Sequence, residues 1–151
     1  MRLLLINTGY DCIFDTNILV EYLEKRTYSE TIGKIFALRD CEFVASSSSI
    51  YTLSYLLDAY FRKKGIFNPD KNTLLRSLLK CVLAKVNIVD LDNSSLCLAL
   101  ENVDFIDIED GFQYQCACKC AADVILTIND KDFVGSRILV RTPQAFLDSR
   151  N

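Results

Sequence analysis

Histidine is absent from this sequence, and that removes the imidazole from every catalytic and metal-binding role. Ser-His and Cys-His nucleophile pairs are excluded, so proton chemistry falls to carboxylates, lysines or metal-bound water. Proline and glycine are scarce, at 2 and 5 residues; no Pro-rich or Ser/Gly-rich linker interrupts the chain, and nothing recurs at a fixed period. Long hydrophobic runs are missing too. Residues 1–6 hold one arginine and a short apolar stretch, well below a secretory core or a spanning helix, so no membrane partner is expected. That stretch reads as a strand extension, or as residue left by an upstream start codon. Nor is there an excess of positive charge: 17 Lys and Arg face 20 Asp and Glu, a net charge of −3. Such a chain binds nucleic acid poorly through bulk electrostatics, and a nucleic-acid substrate has to meet a local basic patch.

Hydrophobic residues make up 50% of the 151, enough for one core and one domain. We read residues 1–10 as an extension and 11–151 as the domain. The seven cysteines are odd in number, follow no signal peptide and sit in a chain long enough to fold without staples, which points to the cytoplasm. Cys116, Cys118 and Cys120 form a Cys-x-Cys-x-Cys cluster. On a helix Cys118 points away from the other two, so four converging zinc ligands are not available, and buried cysteine acting as a small hydrophobe is the expectation.

Strand and helix patterns alternate along the chain. Residues 11–15 read as a strand, followed by a helix to Glu24; a second helix spans 29–39 with Ser29 as N-cap. Residues 41–45 form the next strand, after which serines cap a helix over 50–63 that Gly65 stops. Pro69 starts a helix ending near Val86. A strand at 87–91, a short helix at 95–101, an acid-rich loop and a helix at 108–122 follow. Strands at 123–127 and 138–140 and a closing helix from Thr142-Pro143 complete the pattern. This alternation predicts an α/β fold, a three-layer α/β/α sandwich around a mostly parallel sheet.

Asp15, Asp110, Asn129 and Asp132 each sit where a strand gives way to a helix or turn. In an open α/β sheet, groups at the carboxyl ends of the strands converge on one small volume. Carboxylates forced together repel, and a divalent cation with oxygen ligands relieves them. Mg2+ or Mn2+ is therefore the expected cofactor.

Three separated segments, Phe14-Asp15-Thr16-Asn17-Ile18-Leu19-Val20, Asp107-Ile108-Glu109-Asp110-Gly111-Phe112-Gln113-Tyr114 and residues 122–133 around Thr127-Ile128-Asn129-Asp130-Lys131-Asp132, closely resemble the PIN-domain ribonuclease family in order and spacing. The last helix, Thr142-Pro143-Gln144-Ala145-Phe146-Leu147, is similar to that family's ending. The resemblance implies a metal-dependent endoribonuclease, the toxin of a toxin-antitoxin pair, with RNA as substrate, an antitoxin protein as partner and a homodimeric state. It makes Asp15, Asp110 and Asp132 the catalytic metal ligands. Asn17 orients Asp15; Asp107, Thr127 and Asn129 stand beside the ion or the substrate, while Glu109 and Asp130 face solvent. One departure stands out on the third helix, in Ser48-Ser49-Ile50-Tyr51-Thr52-Leu53-Ser54-Tyr55-Leu56-Leu57. Thr52 occupies the place of an acid, and a hydroxyl brings no charge to an ion. Ser48 and Ser49 are polar neighbours, one of them a helix cap.

Lys25, Arg26, Arg62, Lys63, Lys64 and Lys131 are the cations available for phosphate contacts, Lys131 being the one beside the site. Tyr22, Tyr51, Tyr55, Tyr60 and Phe61 are more aromatic residues than a small core needs, as an interface would use. Two other classes fit the same residues: a PIN-like binding module made non-cutting by Thr52, and a different α/β phosphoryl-transfer enzyme built around Asp15. No glycine-rich phosphate loop supports a nucleotide-dependent activity.

Overall fold

Five strands form one sheet in the order β3-β2-β1-β4-β5: β1 (Tyr10–Phe14), β2 (Cys41–Ser46), β3 (Asn87–Val89), β4 (Val124–Leu126) and β5 (Leu139–Arg141). The structure, a computed structural model, describes residues 9–150, so the expected extension lies outside it except for its last two residues, and Tyr10 belongs to β1. All four strand pairings are parallel. Parallel strands bury both faces, and Cys12-Ile13-Phe14, Phe43-Val44-Ala45 and Val124-Ile125-Leu126 are buried throughout.

The pleat divides those residues between two cores. Cys12, Phe14, Phe43, Ala45, Val124 and Leu126 face α1 (Thr16–Leu23), α2 (Ser29–Phe36), α3 (Ser47–Lys63), α4 (Asp70–Leu83) and α7 (Pro143–Ser149). Their alternates Ile13, Val44 and Ile125 face α6 (Ile108–Lys119) with Phe105, Cys116, Ala117 and Phe133. The remaining helix, α5 (Asn93–Glu101), packs on α6. This is the three-layer sandwich the alternation predicts. Rings tighten the first core: Phe14, Phe36 and Phe43 lie with centroids 5.1–5.4 Å apart, the separation at which aromatic pairs add to simple area burial.

Helix starts differ from expectation in instructive ways. Ser29 is the first residue of α2 rather than its cap, and its hydroxyl donates to the Tyr22 carbonyl instead. The serine that caps α3 is Ser46, whose Oγ accepts from the Ser49 backbone N–H at 3.2 Å, so the helix begins at Ser47 and not at Ile50. Four consecutive serines each satisfy the local rule for a cap, and the end of β2 decides which one is used. Helix α4 stops at Leu83 and α6 at Lys119, each shorter than its apolar stripe suggests. Between β4 and β5 the chain makes a 3-10 turn, Asp130–Phe133. Gly65 does end α3, at φ +77°, where a side chain is strained.

Candidate active site

The strand order reverses beside β1: β2 lies to one side of it and β4 to the other. At such a switch point the first turns of the following helices leave a crevice. Here it is a cleft of about 630 Å³, lined by α1, α3, the start of α6 and the turn after β4. Seven carboxylates line it, from Asp15, Glu21, Glu24, Asp107, Glu109, Asp110 and Asp132, against two cations, Arg26 and Lys63.

Asp15 follows β1 directly, 7% exposed. It caps α1, Oδ1 accepting from the Thr16 backbone N–H at 2.8 Å. Oδ2 accepts from the Thr127 hydroxyl at 2.8 Å and from Asn17 Nδ2 at 3.1 Å. Asn17 is itself fixed, its Nδ2 also reaching Thr127 Oγ1 and its Oδ1 accepting from the Ile128 N–H. The cap of α1 and the expected site residue are one group. Three of the roughly four acceptor positions of a carboxylate are used, and the free one lies on Oδ1.

Asp110 stands in the first turn of α6. Its carboxyl is pushed up to about 7, first by burial and then by Asp15, Asp107, Asp132 and Glu109, which all act in the same direction. Burial also raises Asp15; hydrogen bonds from Thr127 and the Thr16 N–H oppose that, and Glu109 and Asp132 add to it. Asp107 lines the rim while capping α6, its Oδ1 accepting from the Glu109 N–H at 2.8 Å. Asp132 and Asn129 enter the cleft from the 3-10 turn, exposed to solvent. Thr127 is fully buried behind Asp15.

Thr52 lines the cleft on α3 with Leu56, Ala59, Tyr60 and Lys63, so that wall contributes no carboxylate. Glu21 and Glu24 join the cleft lining without having been among the site residues expected from the sequence. Their signal was available: with Asn17 they are spaced i, i+4, i+7, one face of α1. Glu21 accepts from the Tyr28 N–H at 3.3 Å, and Glu24 binds Arg26 Nε at 2.6 Å. Lys131 and Asp130 are exposed and lie outside the cleft lining. Arg62 is paired with Asp58 on the other side of α3, and Lys64 lies over the Tyr60 ring.

A second, uncharged cluster reaches the cleft through Thr16, which lines it. Gln113 of α6 donates from Nε2 to Ser49 Oγ at 2.8 Å and to Thr16 Oγ1 at 3.3 Å, and those two hydroxyls are 2.8 Å apart.

The donors around Asp15 and Asp110 are all hard oxygens, suited to Mg2+ or Mn2+. Among the described residues no three acidic or thiol groups are gathered closely enough to enclose an ion, so the set fits an ion held by one or two carboxylates with water in its other positions, as Mg2+ commonly is. The cysteine cluster is no alternative: Cys116 is buried and Cys118 exposed on opposite faces.

Comparison with known proteins places these observations. The PIN domain family matches residues 11–131. No curated protein sequence matches the chain. Among solved structures, VapBC2 from Rickettsia felis, bound to a DNA fragment from their promoter, is 17% identical with a TM-score of 0.67 over 87% of this chain and 98% of that one. FitAcB from Neisseria gonorrhoeae is 17% identical with a TM-score of 0.68, over 88% and 98%. VapC20 from Mycobacterium tuberculosis, a Sarcin-Ricin loop cleaving toxin, is 12% identical with a TM-score of 0.57, over 76% and 86%. At these identities the structural likeness speaks for the fold.

Proposed function

The chain belongs to the PIN-domain family, and from that premise we propose that residues 11–151 are a divalent-metal-dependent endoribonuclease, the toxin of a toxin-antitoxin pair. One observation carries the reading: carboxylates from three distant segments, Asp15, Asp110 and Asp132, line one cleft at the switch point of the sheet, and the first and last of them help to raise the pKa of Asp110. Asp15 and Asp110 are the residues that would hold Mg2+ or Mn2+, with water in the ion's other positions and Asp132 on the cleft wall beside them. When bound, such an ion polarises the phosphodiester and lowers the pKa of its water, the source of the nucleophile in hydrolysis.

The chain's own residues do the rest. Asn17 and Thr127 hold Oδ2 of Asp15, and Oδ1, which accepts from the Thr16 N–H alone, keeps a free acceptor position. Asn129 and Thr52 offer neutral hydrogen-bonding groups in the cleft, and Lys63, with Arg26 held by Glu24, supplies the positive charge that RNA phosphates would meet. The fold's neighbours, the VapBC2 complex and the Sarcin-Ricin loop cleaving VapC20, favour an antitoxin protein and an RNA substrate. The outer face of α3, with Tyr51 and Tyr55 72% and 70% exposed, suits the antitoxin or the second subunit of a homodimer. The seven free cysteines suit the cytoplasm, and no helix among the described residues is long and apolar enough to cross a membrane.

A second reading, a PIN-like module that binds RNA or protein without cutting, is favoured by Thr52 alone. A ribonuclease assay of the native chain and of Asp15→Asn, with and without Mn2+, separates the two. Cleavage by the native chain that requires Mn2+ and falls at least about a hundredfold in Asp15→Asn supports the nuclease. No cleavage, with Mn2+ still bound, supports the module; cleavage indifferent to both contradicts the account.

A further inference from the structure

Resting on the nuclease reading, we propose that Gln113, Thr16 and Ser49 form a positioning triad that fixes the three walls of the acidic cleft against one another. Each member sits beside a cleft residue on its own element: Thr16 adjoins Asp15, Ser49 lies three residues before Thr52, and Gln113 three after Asp110. Helices α1 and α3 pack on one face of the sheet and α6 on the other, so these walls meet only past the strand ends, where no backbone ladder sets their spacing. The triad spans that gap through bonds of 2.8 Å from Gln113 Nε2 to Ser49 and 2.8 Å between Ser49 and Thr16, with a longer one of 3.3 Å from Gln113 to Thr16.

A second observation argues that the amide is there for placement rather than for stability. Gln113 is 3% exposed, and its Oε1 has no hydrogen-bond partner. Turning the amide over would only exchange the orphaned end. An unsatisfied buried acceptor costs stability, and an apolar side chain of the same shape would avoid that cost. What the apolar residue cannot do is bind two hydroxyls on two other helices at once.

The test uses the full chain, with Thr16→Val, which replaces the hydroxyl at nearly constant volume, Gln113→Leu, their double variant, and Thr16→Ser, which returns the hydroxyl. Expected are melting temperatures near that of the native protein and a roughly ten- to hundredfold lower kcat in Mn2+ at little-changed KM for RNA. The losses in the double variant should not multiply, because the triad acts as one unit, and Thr16→Ser should recover most of the kcat lost in Thr16→Val. Undiminished kcat in both single variants, or losses that multiply, overturns the proposal. Should Gln113→Leu fail to fold, the Thr16 pair decides it. If the native chain cleaves no RNA, the nuclease reading fails, and hydrogen exchange on the metal-free protein judges the triad. Faster exchange in the first turns of α1, α3 and α6 together in Thr16→Val, at unchanged melting temperature, upholds it; a change in none or only one of them overturns it.

Discussion

Asp110 holds its proton to about pH 7 because burial and four neighbouring carboxylates disfavour its charge. Its folded pKa lies above the unfolded one, so its contribution to stability is complete below the unfolded value near 3.8 and lost as pH rises through about 7. Thermal melts in a chelator should therefore show the native chain losing stability relative to Asp110→Asn between about pH 4 and 7, with Asp110→Asn the more stable at pH 8. The opposite order, or parallel curves, would mean that the acids are not crowded. That Asp15, Asp110 and Asp132 line one cleft was legible for Asp15 and Asp132 from their places just after strands, whereas Asp110 follows no strand: it stands in the first turn of α6, after α5 and a loop. Glu21 and Glu24 were missed because the same spacing describes any solvated helix face, and only the position of α3 turns that face into a cleft wall. Gln113 was invisible in another way: nothing local distinguishes a buried glutamine bound to two distant hydroxyls from an exposed one. Lys131, chosen for closeness in sequence to Asp132, lies outside the cleft lining, since neighbours on a 3-10 turn point in different directions.

Helix α3 carries both the cap that starts it and the substitution that sets it apart. Removing the Ser46 side chain leaves the Ser49 N–H unpaired in a buried setting; Ser46→Ala should cost about 1 kcal/mol and lower the melting temperature by about 2–4 °C, as read by calorimetry. Thr52→Glu tests the wall itself. A carboxylate added there should tighten Mn2+ binding by about tenfold, the lower end of what groups around a metal contribute, while making the metal-free protein less stable at pH 8. An unchanged Mn2+ affinity would mean that this wall does not face the ion. At this scale the sequence was a good guide to which elements exist and in what order, because buried parallel strands are short apolar runs and the helices carry clear stripes. It was a weaker guide to their ends. The serine run after β2 offered several equivalent caps, and only the ladder of β2 with β1 and β3, which runs to Ser46 on the β3 side, selects one.

The all-parallel order β3-β2-β1-β4-β5 explains why residues nearly a hundred positions apart, Asp15 and Asp110, share one cleft, and why a cation should stabilise the whole chain. Ions that bind the folded state alone raise its stability by about 2.7 kcal/mol at a hundredfold excess over Kd, about 5–10 °C in melting temperature for a chain of this length. Mn2+ should therefore raise the melting temperature, and more so at pH 8 than at pH 5, where it competes with the proton on Asp110. The layer architecture was readable from the strand-helix alternation, but the neighbours of β1 were not, since local pattern does not state which strands pair. The most direct test of the central claim is a calorimetric titration of Mn2+ into the native chain, Asp15→Asn and Asp110→Asn at pH 8. Saturable binding to the native chain, weakened at least about tenfold in each variant, is expected; equal affinity in all three proteins, or no binding to the native chain, would mean that Asp15 and Asp110 hold no ion.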